Sequence, residues 1–270
     1  MRTTVTTEPF SAARRCVADV AQLGRELPLF PVERTMHLAP LAEARATAAV
    51  RLGWATLFTK AYALVAREMP VLRSWLAGRV RLRLATADTS VATLAVNRTD
   101  EGVDRLLWTR ITAPEALPLV GIQRIIDDSL SKPVDEAFPR QLELEGLPGG
   151  LRRTILRWNM RSASPKRATR IGTFSLSTLA GLGATNRFHP TLCTTSLSYA
   201  PLEADGRCLV TLIADHRVLD GAAVARALER LEQTLTGAIV AELGSVSGGT
   251  GSVASQPDVT PRTTAGRRVA

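Results

Sequence analysis

The sequence predicts an α/β fold with an antiparallel or mixed sheet, and three observations carry that reading. Between residues 79 and 113 the pattern has a period of two, with Val80, Leu82 and Leu84 set between Arg79, Arg81 and Arg83, as in strands that show different faces to core and solvent. Residues 41–69 and 221–235 place apolar side chains at helical spacing instead. The run Cys208-Leu-Val-Thr-Leu-Ile-Ala214 has the length and composition of a buried strand and leads directly into the second of those helices.

The elements follow in chain order. A short helix is expected over Ser11 to Leu23, then an extended piece ending at Val32 to Leu38. From Leu41 to Met69 one long core helix is expected, with Leu57, Ala61, Leu64 and Val65 on its apolar face and Pro70 as its stop. Strands follow through Val80 to Leu84, Val91 to Val96 and Leu106 to Thr109, punctuated by Asp100-Glu101-Gly102. A helix should run from Leu119 to Leu130 and end before Pro133. Residues 139–171 read as an inserted loop and short helix, with seven basic residues between Arg152 and Arg170 and no acidic one among them. A strand holding Phe174 and Leu176 comes next, then a turn at Gly181-Leu182-Gly183 and a strand near Cys193 to Tyr199. The helix opened by Asp220-Gly221 presents Val224, Leu228, Leu231 and Leu235 on one face. One domain is expected over 1–243, and the Gly-, Ser-, Thr- and Arg-rich residues 244–270 read as a disordered tail.

Composition narrows the function. The 270 residues carry a net charge of +9, which attracts anions in general. Only 4% of them are aromatic, too few for the stacking platforms of a single-strand nucleic-acid binder, and no nucleic-acid partner is expected. Cys16, Cys193 and Cys208 form no CxxC pair, so they read as buried free thiols with no metal ligand set. The N-terminal residues lack the apolar core of a signal peptide, and no apolar run is long enough to span a bilayer. A cytoplasmic protein is expected.

One segment carries chemistry. In Asp215-His216-Arg217-Val218-Leu219-Asp220-Gly221 a histidine stands where a buried strand turns into a helix. There it is held firmly yet left accessible, and neutral imidazole can take a proton near physiological pH, which suits a general base. Asp220 sits at the helix start, where a carboxylate is favoured and can also pair with an arginine elsewhere.

This DHRxxDG motif resembles the signature of the acyltransferase (E2) catalytic domain of 2-oxo acid dehydrogenase complexes, and chloramphenicol acetyltransferase shares its shorter form, HxxxDG. The stretch Gly172-Thr-Phe-Ser-Leu-Ser-Thr-Leu179 is similar to the family's Gly-Thr-Phe-Thr-Ile-Ser-Asn-Leu strand, about forty residues before the histidine. Phe10 to Arg15 and Trp54 to Pro70 resemble the family's opening helix and long helix, so the likeness spans about residues 8 to 240. It implies a two-layer α/β sandwich of the chloramphenicol acetyltransferase type, with a large mixed sheet, helices on one side and a homotrimer or a multiple of it. It also implies that His216 is the base, that Ser177 donates to the oxyanion, and that Arg14, or failing that Arg15, pairs with Asp220 to fix the histidine turn. Ser175 is assigned to the opposite face of the strand from Ser177.

The implied activity moves an acyl group between coenzyme A and a thiol, hydroxyl or amine acceptor, with acyl-CoA as co-substrate and no metal. A small molecule, a lipoyl group and a carrier protein all remain open as acceptor, and no residue is assigned to CoA. Nothing here resembles a lipoyl domain, so no covalent lipoyl group is expected on this chain. Val103 to Trp108 and the basic segment depart from the family's pattern. Three further readings stay open: a non-catalytic trimeric scaffold, an acyltransferase acting on a carrier protein or lipid, and contact of residues 151–170 with CoA phosphates or an anionic membrane surface. His37 and His189 read as structural and loop residues.

Overall fold

The computed structural model describes residues 3–248, and their side chains as far as residue 245. The helices are α1 (Ala12–Gly24), α2 (Ala39–Thr47), α3 (Trp54–Glu68), α4 (Leu119–Ser131), α5 (Val134–Ala137), α6 (Pro139–Gly146), α7 (Gly149–Arg161), α8 (Lys166–Ile171), α9 (Gly221–Thr234) and α10 (Val240–Gly248). The strands are β1 (Leu29–His37), β2 (Ser74–Ala77), β3 (Arg83–Thr86), β4 (Val91–Asp100), β5 (Val103–Thr112), β6 (Phe174–Leu176), β7 (Thr195–Tyr199) and β8 (Arg207–Asp215). Six of them form one sheet in the order β1-β8-β7-β6-β4-β5. β6 runs parallel to both β4 and β7, and the remaining pairs are antiparallel, so the sheet is mixed as the sequence implied.

The alternation read from the sequence decides which side chains reach which face. Ala92 and Leu94 of β4, Phe174 and Leu176 of β6, Leu197 of β7, and Leu212 and Ala214 of β8 all point into the main core. There they meet α3 and α9, whose Val224, Leu228 and Leu231 are fully buried, as is Leu235 just beyond α9. Deep burial gives α3 a polar obligation too: Tyr62, inside the core, donates its hydroxyl hydrogen to Thr195 Oγ1 at 2.8 Å.

The expected single helix from Leu41 to Met69 is two helices, α2 and α3, broken at residues 48–53. Gly53 lowers helix propensity there, and Gln123 of α4 captures the freed groups. Its Oε1 accepts from Gly53 N at 2.7 Å and from Thr56 Oγ1 at 2.6 Å. Val80, Leu82 and Leu84 do not enter the main sheet. They belong to the β2–β3 hairpin, a separate two-stranded sheet, and are exposed. Residues 244–248 of the expected tail continue α10, and the rest of that tail lies outside the described residues.

The second face of the sheet is also covered, which the sequence reading placed on one side only. There α1 and the helices of residues 139–171 lie over β4, β5 and β6. Those residues form three helices where a loop with one short helix was expected. The acids that neutralise them come from α1 and its C-terminal flank. Arg152 and Arg153 both reach Asp19, and Arg157 and Arg161 reach Glu26. Arg167 is buried against Trp75 and donates to the carbonyls of Gly172 and Leu192, while Arg170 donates to Asn159 Oδ1. The basic run is therefore largely tied down internally and does not form the free cationic surface considered for a membrane.

Asp19 and Arg152 are both almost completely buried, and removing one member of such a pair strands the other charge. Asp19→Ala should lower the unfolding free energy by about 3–5 kcal/mol, whereas Arg153→Ala, with its side chain 38% exposed, should change it by less than about 1 kcal/mol. Urea unfolding monitored by circular dichroism checks both, and equal small losses would show that α7 is anchored by something else.

Candidate active site

β8 ends at Asp215, and the chain turns at once. Val218 and Leu219 N–H both donate to Asp215 O. The Asp215 carboxylate, almost fully buried, accepts from the backbone N–H of Arg217 at 3.1 Å and from its guanidinium at 2.6 Å. That hydrogen bond raises the Arg217 pKa above its usual value. Buried Leu219 plugs the turn into the core, and Asp220 Oδ1 caps α9 by accepting from Ala223 N at 2.7 Å.

His216 stands exposed on this turn. Its backbone N–H donates to Pro28 O, and its ring lies against Phe30 with centroids 4.6 Å apart. Its Nδ1 is 3.2 Å from Leu219 O. A carbonyl oxygen can only accept, so this contact puts the ring hydrogen on Nδ1 and leaves Nε2 with its lone pair free. That is the tautomer a general base needs.

The expected clamp between Arg14 and Asp220 is absent. Among the described residues no ion pair joins Asp220 to Arg14 or to Arg15; Arg14 is exposed with no side-chain partner, and Arg15 donates to Glu145 O. The turn is held from within by Asp215 and Arg217, two residues of the motif itself.

Ser177 follows β6 directly, its N–H donating to Leu197 O at 3.0 Å. It lies on the floor of a cavity of about 710 Å³ on the second face of the sheet. Register builds that floor in two rows: Ser177 beside Ala95 and Trp108, and Ser175 beside Thr93 and Arg110. Ser175 therefore shares the face of Ser177, contrary to the sequence assignment, because residues two apart on a strand point the same way. What separates the two serines is bonding. Ser175 Oγ is 2.8 Å from Thr191 Oγ1 and 2.7 Å from Ser196 Oγ, while the Ser177 hydroxyl has no hydrogen-bond partner among the described residues and is free to donate. Gly172 opens this strand at φ +104°, and any side chain there would collide with Thr93.

His189, read from sequence as a loop residue, lines the same cavity. Its Nε2 lies 2.6 Å from Ser196 Oγ, and Asn186 Nδ2 approaches Nδ1 at 3.2 Å. Burial lowers its pKa to about 4, so the ring stays neutral. The Asn186-Arg187-Phe188-His189 stretch carried no motif that would have marked it.

One chain does not bring His216 and Ser177 together. Ser177 follows Leu176, which pairs with Leu197, and so lies level with Ser198 and Thr211. His216 comes five residues after Thr211 on the antiparallel strand, roughly 16 Å farther along the sheet.

No family model matches the sequence, and no curated protein sequence matches it. Solved structures do match. A truncated catalytic core of the 2-oxoacid dehydrogenase multienzyme complex from Thermoplasma acidophilum aligns with a TM-score of 0.66 at 16% identity, covering 86% of this chain and 99% of that one. The Azotobacter vinelandii dihydrolipoamide acetyltransferase, E2p, aligns at 0.64 and 20%, covering 88% and 94%. The cubic core of a pyruvate dehydrogenase multienzyme complex aligns at 0.59 and 21%, with the same coverage. The fold is that of an E2 catalytic core. Within this E2 fold His216 closes the last long strand of the sheet, and Ser177 closes the short parallel strand at its centre.

The depressed His189 pKa has a measurable consequence for the E2-like fold. The unfolded chain takes up this proton first, near the ordinary imidazole value of 6.5, and the folded chain only at about 4. Stability from this residue is therefore complete above pH 6.5 and is lost as pH falls toward 4, by at most ~3 kcal/mol. His189→Gln should flatten the change in urea midpoint across that window, and an unaltered profile would show that the ring is hydrated.

Proposed function

We propose that this chain is a CoA-dependent acyltransferase in which His216 is the general base and Ser177 the oxyanion donor. The observation that carries the proposal is the contact of His216 Nδ1 with Leu219 O, which leaves Nε2 free on an exposed, rigid turn. In the reaction His216 Nε2 takes the proton of a thiol, hydroxyl or amine acceptor as the acceptor attacks the thioester carbonyl. The Ser177 hydroxyl donates to the oxygen that gains negative charge. When the tetrahedral intermediate collapses, the C–S bond breaks and the imidazolium returns the proton to the leaving CoA thiolate. No acyl-enzyme forms, because both substrates are held together. The Azotobacter enzyme supports this reading: a serine, a histidine and an asparagine are the residues of interest in its catalytic mechanism, the last two four positions apart like His216 and Asp220.

The distance between His216 and Ser177 within one chain gives the reaction a second requirement. We propose that His216 of one copy works with Ser177 of a neighbour in a homotrimer or a multiple of it. The pyruvate dehydrogenase relative, which forms a cubic core, is an assembly of the kind this demands.

Thiol release from a panel of acyl-CoAs with a dithiol acceptor tests the activity. His216→Ala should lower turnover by about 10²–10⁴-fold and Ser177→Ala by about 10²–10³-fold. If the site spans two copies, co-expressing the two inactive variants should restore part of the activity, since some interfaces then combine an intact histidine with an intact serine. Co-assembly without recovery would place the site inside one chain, and wild-type protein that neither turns over nor binds CoA would leave a scaffold.

A further inference from the structure

We infer that the cavity above Ser177 is a binding site for an anionic amphiphile, with its carboxylate or phosphate head on Arg110 and Arg140 and its apolar chain along α1 and α7. The inference stands on the cavity alone. It needs neither the His216 reaction nor a second copy.

Two properties of the wall point to such a ligand. The first is charge: Arg110, Arg140, Lys166 and Arg170 line the cavity, and Glu143 is the one carboxylate among the lining residues. Arg170 is engaged with Asn159. Arg110 and Arg140 have no hydrogen-bond or ion-pair partner among the described residues, in a protein whose neighbouring arginines, Arg152, Arg153, Arg157 and Arg161, are all paired with acids. The pair is also mutually unfavourable. Both arginines are exposed to solvent on the cavity wall, and desolvation lowers the Arg110 pKa, with Cys193 opposing that shift and the Arg140 guanidinium adding to it. Two unpaired arginines on one cavity wall, with a single carboxylate among the lining residues, favour an anion, because an arriving carboxylate or phosphate can accept from their guanidinium forks.

The second property is the apolar remainder. Val17 and Val20 of α1, Leu144 of α6, Ile155 and Leu156 of α7 and Trp108 of β5 line the same space and are only half buried. At about 710 Å³ the cavity lies within the range of sites for small organic ligands, and a mostly apolar wall with a few convergent polar groups is their usual character. A small inorganic anion would leave the apolar wall bare, and a neutral hydrocarbon would leave the two arginines without a counter-ion. An amphiphile satisfies both.

Register sets its orientation. Arg110 lies in the row of Ser175 and Thr93, one row from Ser177. The head is thus held at the Gly172 end of the floor, and the chain runs over Trp108 and Leu106 toward Ser177.

Isothermal titration of the full chain with decanoate, decyl phosphate, decanol and decyltrimethylammonium tests the site, using His216→Ala protein so that no turnover intervenes. Decanoate or decyl phosphate should bind at least about tenfold tighter than decanol, and decyltrimethylammonium most weakly. A preference for the phosphate identifies a phosphorylated amphiphile as the natural class, and a preference for decanoate a fatty carboxylate. In Arg110→Gln/Arg140→Gln protein the advantage over decanol should disappear while decanol binding stays within about twofold. Neither arginine has a protein partner to lose, so this variant should fold, which its melting temperature verifies. Val20→Trp, which fills the apolar part, should abolish binding of all four probes. Equal affinity for decanoate and decanol, unchanged affinity in the double variant, or no binding of any probe to wild-type protein would overturn the inference. Because no acyl-CoA is present, failure here leaves the transfer reaction untouched.

Discussion

The direction of β8 governs where chemistry can occur in this molecule. It lies between β1 and β7 and runs antiparallel to both, whereas β6 runs parallel to β7. β6 and β8 therefore end at opposite edges of the sheet. A histidine at the end of one and a serine at the end of the other cannot meet within a single copy, whatever their side chains do. The backbone hydrogen bonds that fix this register are buried, and slipping them by one residue would turn Leu212 and Ala214 out of the core. For the proposed reaction, which uses both side chains on one substrate, strand direction alone calls for a second copy.

A different constraint shapes the second face of the sheet. Its floor is small and polar where β6 and β7 lie, through Ser175, Ser177, Ser196 and Ser198, and it cannot form a dry core with the helices above it. Ser175 and Ser196 bond to each other, to Thr191 and to His189, while the hydroxyls of Ser177 and Ser198 have no hydrogen-bond partner among the described residues. The covering helices are tied to one another by ion pairs, buried at Asp19 and partly exposed at Glu26, which join α7 to α1 and its flank. The apolar cluster on this side is small, comprising Leu23, Met160, Ile171, Leu192 and Cys193. Helices tied to one another over a hydroxyl-lined floor leave space above it.

Much of this was legible in the sequence, for reasons that can be named. Cys208 to Ala214 is a strand because no helix of that length would bury every side chain of such a run, and the histidine turn was marked by its own motif. Val91 to Val96 was legible as a strand from its apolar run, which is buried on both faces. What sequence misjudged were relations between distant segments. The acids that neutralise Arg152 to Arg161 lie on α1 and just after it, more than a hundred residues away, so a locally unopposed basic run looked solvent-facing. Arg14 was assigned to Asp220 by likeness alone, and the structure gives the clamping role to Asp215 and Arg217. The break between α2 and α3 depends on Gln123, which local helix periodicity does not register. Val80, Leu82 and Leu84 show the opposite error: their alternation falls on the turn of the β2–β3 hairpin, where only Leu84 is in a strand and all three side chains are exposed.

These two constraints act on separate parts of the chain, and the separation matters for how specificity can vary. His216, the proposed base, is set by the closed turn 215–220 together with Pro28 and Phe30, which hold its backbone and its ring from outside the turn. The cavity is bounded by helices from residues 139–171, attached through a few ion pairs and a modest apolar cluster. Changes in Leu144 or Ile155 can reshape the cavity without reaching the sheet, because those side chains line it from helices and belong to no buried cluster. Changes at Ser177 or Gly172 cannot, since the strand they open and close is only three residues long and is gripped on both sides. Under the proposed reaction, such a division keeps His216 and Ser177 on fixed backbone while the helices of residues 139–171 bound the space above Ser177.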